Sequence, residues 1–148
     1  MTIIRQARPS DVAVLTRLAD SAYGHYVERM GKEPGPMTAD YASLVGAGEV
    51  WVAEQEGVPV GLLVLRARPD HLLLDNIAVS PSSQGAGVGG RLLDFADDYA
   101  RARGLTEVRL YTHESMTENL AYYPRRGYVE TGRATEHGFR RVFFSKRL

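Results

Sequence analysis

Asn76-Ile77-Ala78-Val79-Ser80-Pro81-Ser82-Ser83-Gln84-Gly85-Ala86-Gly87-Val88-Gly89-Gly90-Arg91-Leu92-Leu93 is the stretch that decides the reading of this chain. Its start closes an apolar run from His71 to Ser80, in which Leu72-Leu73-Leu74 and Ile77-Ala78-Val79 read as a central strand buried on both faces. Its end opens a helical pattern from Val88 to Arg103, with Leu92, Leu93, Phe95, Ala96, Tyr99 and Ala100 facing inward and Gly104 as the stop. Between the two, four glycines in six residues leave backbone N–H groups uncovered by side chains. At a helix N-terminus those donors meet the positive end of the helix dipole, which makes a cradle for an anion, phosphate above all.

Working outward, Ile4 to Ala7 reads as the end of a first strand, and Ser10 is placed to cap a helix carrying Val12, Leu15, Leu18, Ala19 and Ala22. Gly31 to Pro36 reads as a loop. Thr38 is expected to cap a second short helix with Tyr41, Leu44 and Val45. Val50 to Gln55 and Val58 to Arg68 are strands joined at Glu56-Gly57, with Gly61 a candidate bulge. After the long helix come a strand at Val108 to Thr112, a short helix from Thr117 to Arg126 stopped by Gly127, and two strands near Tyr128 to Thr131 and Arg140 to Lys146. The order β-α-α-β-β-β-α-β-α-β-β describes an α+β domain, residues 1–148, with a mixed, mostly antiparallel central sheet flanked by helices. The last strand, Arg140-Arg141-Val142-Phe143-Phe144, is a candidate edge for pairing in a homodimer.

Composition narrows the function. The 148 residues suffice for a core without staples, and 44% apolar with 24% charged is ordinary for a globular chain. Eighteen basic and eighteen acidic residues cancel, which argues against a general grip on nucleic acid or acidic membranes. With no cysteine, disulfides, thiolate zinc sites and a cysteine nucleophile are excluded. His25, His71, His113 and His137 show no metal-ligand spacing, so no metal is expected. No run of about 18 apolar residues or signal core occurs, and a cytoplasmic location is the default expectation.

The glycine segment matches two expressions. Gly85-x-Gly87-x-x-Gly90 fits the dinucleotide fingerprint, but Ser80 to Gln84 separate it from the strand, where that fingerprint needs an immediate turn. The acidic residue expected about 20 positions on would be Glu107, which begins its strand instead of ending it. No Lys-Ser or Lys-Thr follows the glycines, so a P-loop fails too. Gln84-x-x-Gly87-x-Gly89 fits better. Preceded by Asn76-Ile77-Ala78-Val79-Ser80-Pro81 and followed by Gly90-Arg91-Leu92-Leu93, it strongly resembles the acetyl-CoA site of the GNAT N-acetyltransferase superfamily. Tyr123-Pro124-Arg125-Arg126-Gly127-Tyr128 is similar to that family's Tyr-x-x-x-Gly-Phe/Tyr, and the element order is also the family's.

The resemblance implies an acetyl-CoA-dependent N-acetyltransferase that passes acetyl directly to a primary amine of a small molecule or peptide. Gln84, Gly85, Ala86, Gly87, Val88, Gly89 and Gly90 would hold the CoA pyrophosphate. Ile77, Ala78 and Val79 would face the pantetheine arm, with Val79 nearest the thioester carbonyl as an oxyanion-type donor. By the same resemblance Tyr123 is the acid that meets the departing thiolate, and Asn119, one turn earlier, touches the pantetheine. The simpler reading of Tyr123 is a half-buried packing aromatic. Pro124 removes a helical donor and should kink or shorten the helix. Asp75 and His113 are candidate bases for an ammonium whose pKa is roughly 10, although a lone histidine at a strand end is more often a surface residue. The first two helices would grip the acceptor through Tyr23, Tyr26 and Arg29, with Asn76 beside them, in a region that also holds His25, Glu33, Met37 and Tyr41. Two other readings stand: a non-catalytic module that senses acyl-CoA, and a dinucleotide oxidoreductase.

Overall fold

The computed structural model describes residues 1–148. Seven strands form one sheet in the order β1-β2-β3-β4-β5-β7-β6. They are β1 (Thr2–Gln6), β2 (Val50–Gln55), β3 (Val58–Ala67), β4 (Leu72–Val79), β5 (Glu107–His113), β6 (Val129–Glu136) and β7 (Phe139–Arg147). The helices are α1 (Val12–Tyr23), α2 (Tyr26–Met30), α3 (Gly35–Thr38), α4 (Tyr41–Gly46), α5 (Val88–Ala102) and α6 (Thr117–Arg125). The pairing is antiparallel for β1 with β2, β2 with β3, β5 with β7 and β6 with β7, and parallel for β4 with β5. The fold is therefore the expected α+β class with a mixed, mostly antiparallel sheet. No helix is long and apolar enough to cross a membrane.

The chain divides into two compact units: residues 1–65 with 76–95, and residues 66–75 with 96–148. In the first, Leu15, Leu18, Ala19 and Ala22 form the apolar stripe of α1. They pack with Tyr41, Val45, Val50, Val52, Leu62, Val64 and Ala78 in one buried cluster. Arg5 ties β1 to the start of α1, donating to Asp11 at 2.8 and 3.0 Å and to Glu54 at 3.0 Å. Gly61 is the close-packing point: an added Cβ would lie 3.2 Å from Ala78 O, 3.2 Å from Leu92 and 3.3 Å from Val88. In the second unit Val108, Leu110, Val142, Phe144, Ala96 and Ala100 are buried. Lys146 there donates to the buried Asp97 at 2.6 Å.

Several expectations need correction. Ser10 lies inside a 3-10 turn, Pro9–Asp11, and is no cap; Asp11 instead accepts from Arg8 N at 2.7 Å. Part of the expected loop at 31–36 is helical, because Gly35-Pro36 starts α3, a position that suits a proline without its N–H. Asp40, not Thr38, caps α4 by accepting from Ser43 N. The expected bulge lies one residue earlier, since Ala53 faces Gly61 while Glu54 faces Pro59, which leaves Val60 as the extra residue. β4 alternates buried and partly exposed residues instead of being buried on both faces. β7 is not an edge: β5 lies on one side and β6 on the other, so its backbone has no free row for a second copy. β6 runs further than expected, to a tight turn at His137-Gly138 with φ of 51° and 79°. All eight of its residues are exposed, so no apolar alternation marks it in the sequence.

Candidate functional site

In the first unit, Ser80 N donates to Val60 O at 2.8 Å, the last bond of β4 to β3. Pro81, whose ring holds φ near the helical value, then turns the chain out of the ladder, and Pro81–Ser83 forms a 3-10 turn. Gly85 and Gly87 take left-handed φ of 87° and 83°, a region that side chains with a Cβ rarely enter. Nothing lies within 4 Å of a Cβ added at either residue, so both sites open outward. Gly87 O accepts from Arg91 N at 3.1 Å and so begins α5. The N–H groups of Val88 and Gly89 in that first turn have no intrahelical acceptor. Gln84 Nε2 reaches back to Val79 O at 3.3 Å and fastens the loop to the strand.

The end of β4 has a defined polarity. Because Ser80 bonds to β3, Asn76 and Ala78 direct their backbone groups the same way, and Ile77 and Val79 direct theirs to the opposite edge. On that edge Ile77 O accepts from Tyr23 OH at 2.6 Å. Asn76 is 7% exposed, and its Nδ2 donates to Tyr41 OH at 2.7 Å. Tyr41 OH in turn donates to Pro36 O at 2.6 Å. Tyr26 is buried, with the His25 ring 3.9 Å away and Arg29 stacked at 5.1 Å. Of the residues assigned to the acceptor, Tyr23, Asn76 and the neighbouring Tyr41 thus converge on β4. Tyr26 sits beside Tyr23, with ring centroids 6.1 Å apart, and carries His25 and Arg29 against its own ring.

In the second unit, Tyr123 is 6% exposed, with ring centroids 5.7 Å from Tyr128 and 5.8 Å from Phe144. α6 runs through Pro124 and ends at Arg125, where Arg126 N bonds to Tyr123 O and Gly127 N to Pro124 O, the tightened bonds of a helix end. Asn119 Nδ2 donates to Thr112 Oγ1 at 3.0 Å, which ties α6 to β5. His113 is buried, contrary to the surface placement usual for a lone histidine. Its Nδ1 accepts from Ser115 N at 3.0 Å, which leaves the proton of the neutral ring on Nε2. Asp75 accepts from Tyr111 OH at 3.2 Å and has Arg66 3.7 Å away. Burial, with the Asp75 charge beside it, raises the Tyr111 pKa. The partners Arg66 and Tyr111 were missed by sequence reasoning. Tyr111 had a weak signal, since it alternates with Arg109 and His113 along β5. A cavity of about 430 Å³, lined by Leu73, Glu107, Arg109, Tyr111 and Phe143 among others, holds none of the expected site residues.

The model of the acetyltransferase (GNAT) family matches residues 15–128. The chain is 29% identical over 91 residues to a protein described as a probable N-acetyltransferase of Mycobacterium tuberculosis, covering 60% of this chain and 51% of that one. It is 28% identical over 134 residues to the uncharacterized N-acetyltransferase YhfO of Bacillus subtilis, covering 86% and 89%. The chain thus spans about half the length of the first relative and most of the second. The crystal structure of the PaiA N-acetyltransferase from Thermoplasma acidophilum, in complex with coenzyme A, superposes with a TM-score of 0.82. That likeness covers 100% of this chain and 99% of the other at 15% identity, and it is one of fold.

Proposed function

Since the chain belongs to the acetyltransferase (GNAT) family, we propose that it transfers acetyl from acetyl-CoA directly to a primary amine of a small molecule or peptide. The observation that carries this reading is the loop at Gln84 to Gly90. Two left-handed glycines, open space where their side chains would stand, and the N–H groups of a fifteen-residue helix together suit a pyrophosphate. The neighbour solved with coenzyme A supports the same ligand.

In this reading the edge of β4 that carries Ile77 and Val79 offers its backbone to the pantetheine. The Val79 N–H donates to the thioester oxygen as negative charge grows there. The amine nitrogen attacks the carbonyl carbon, a C–N bond forms, and the C–S bond breaks. Tyr123 supplies a proton or hydrogen bond to the departing thiolate. The amine must first lose its own proton. His113 suits that step poorly, because its Nδ1 lone pair meets Ser115 N and its other nitrogen carries hydrogen. Asp75 is the better base, a carboxylate held in place by Tyr111 and Arg66.

The burial of Tyr123 favours a second reading, in which that residue only packs and the protein senses acyl-CoA without turnover. A thiol-release screen with acetyl-CoA and a panel of primary amines separates the two. Transfer predicts CoA release with at least one amine, and a loss of about 100-fold in kcat for Tyr123→Phe with acetyl-CoA affinity retained. Undiminished turnover in Tyr123→Phe removes the acid role. Tight acetyl-CoA binding with no amine turned over favours the sensor.

A further inference from the structure

Asn76 is a carboxamide in a largely apolar interior, 7% exposed, at the end of β4. The direction of its hydrogen bonds is determined. The Tyr41 hydroxyl has one proton, which goes to Pro36 O at 2.6 Å. Towards Asn76 it acts only as acceptor, so Asn76 presents its NH2 there, at 2.7 Å. The carboxamide cannot turn over without facing its own oxygen to that acceptor. Its Oδ1 is thereby aimed the other way, where it is buried and meets no donor. A buried carbonyl oxygen without a donor is destabilising, and folds retain one where a ligand or water completes it.

We infer that Asn76 Oδ1 receives an N–H of the acceptor amine, and that Tyr41 is the positioning residue that sets the carboxamide for it. This rests on the acetyl-transfer reading and names an atom for the acceptor. The chemistry selects the ligand. Oδ1 only accepts, so phosphate, carboxylate and carbonyl groups are excluded as its partner. A neutral primary amine has two N–H groups and one lone pair. Giving one N–H to Oδ1 fixes the nitrogen and leaves the lone pair free to attack. The pantetheine arm is the weaker candidate, because the strand edge that suits it carries the backbone of Ile77 and Val79, whereas the backbone of Asn76 faces β3. The aromatic Tyr23, bonded to Ile77 O, borders the same stretch of strand.

The test follows the side-chain amide resonance of Asn76 by NMR in the isotope-labelled full chain. The probes are n-butylamine and acetyl-CoA, added separately and together. The expected result is a saturable shift with n-butylamine, present with or without acetyl-CoA. A shift with acetyl-CoA alone assigns Oδ1 to the pantetheine and overturns the inference. No shift with either ligand assigns it to bound water and does the same. Tyr41→Phe, which keeps the ring in the core, is expected to raise the n-butylamine dissociation constant about fivefold and leave acetyl-CoA binding within about twofold. Equal weakening of both ligands marks a merely structural role for Tyr41 and overturns its part. The transfer reading fails separately: an intact amine-dependent shift with no CoA release from any amine removes catalysis and leaves the amine site standing.

Discussion

The glycine cradle makes its sharpest prediction when Gly87→Ala is compared with Gly104→Ala. The two residues flank the same helix, α5, at opposite ends. Their φ angles are 83° and 72°, and nothing lies within 4 Å of a Cβ added at either one. Each alanine therefore suffers the same backbone strain, on the order of 1–2 kcal/mol for a left-handed residue with a Cβ. For a chain of this size that is a fall in Tm of roughly 3–6 °C. Ligand binding should split the pair. At Gly87 the new methyl group stands where the pyrophosphate would approach the first-turn N–H groups. A methyl there forces the phosphate beyond hydrogen-bond distance of at least one donor, which weakens CoA by about tenfold or more. At Gly104 the methyl group lies beyond the helix's other end, and CoA affinity should hold. Differential scanning calorimetry measures the first effect and isothermal titration with CoA the second. Matched losses of Tm with equal CoA affinities would refute the cradle. An unchanged Tm in both would refute the backbone argument itself.

Three further outcomes follow from the packing and the ion pairs. Gly61→Ala places a Cβ 3.2 Å from Ala78 O, a backbone atom that cannot swing away, so chemical denaturation should show a loss of about 1–3 kcal/mol. The hydrogen bonds from Arg5 hold the Asp11 carboxyl down at about 2. A depressed folded pKa contributes stability above the unfolded value near 4, and that contribution is lost as pH falls through about 2. Asp11→Asn should therefore cost about 2 kcal/mol in urea titrations at pH 7, with the gap to the parent closing towards pH 2; a constant gap refutes the linkage. Lys146→Met strands the buried Asp97 carboxylate and should cost about 3 kcal/mol, most of it recovered in the Asp97→Leu, Lys146→Met double variant, whereas additive losses would deny the pairing.

Features that rest on local chemistry are legible in the order of residues alone. A proline after an apolar run ends β4, and Gly104 with φ of 72° ends α5, because each acts through its own backbone. The 3.6-residue period of α1 and α5 and the spacing Gln84-x-x-Gly87-x-Gly89 are likewise properties of neighbouring residues, and they sufficed for the fold class and the family. Where several local solutions competed, tertiary structure decided. Ser10, Asp11, Thr38 and Asp40 are all acceptable caps by residue type; Asp40 caps α4, whereas the Asp11 side chain turns back to Arg8 N and to Arg5 of β1. The edge of the sheet could not be read, because β7 gains its second neighbour only through a hairpin whose outer strand carries no apolar pattern. The polar site was least legible. Asn76 lies 35 residues from Tyr41 along the chain, and the direction of their hydrogen bond exists only once α4 has folded onto β4. The burial of His113 and Tyr123 and the tautomer of His113 belong to the same class. Which atom of a side chain is left to meet a ligand depends on what its other atoms have already found, and only the packed fold supplies those partners.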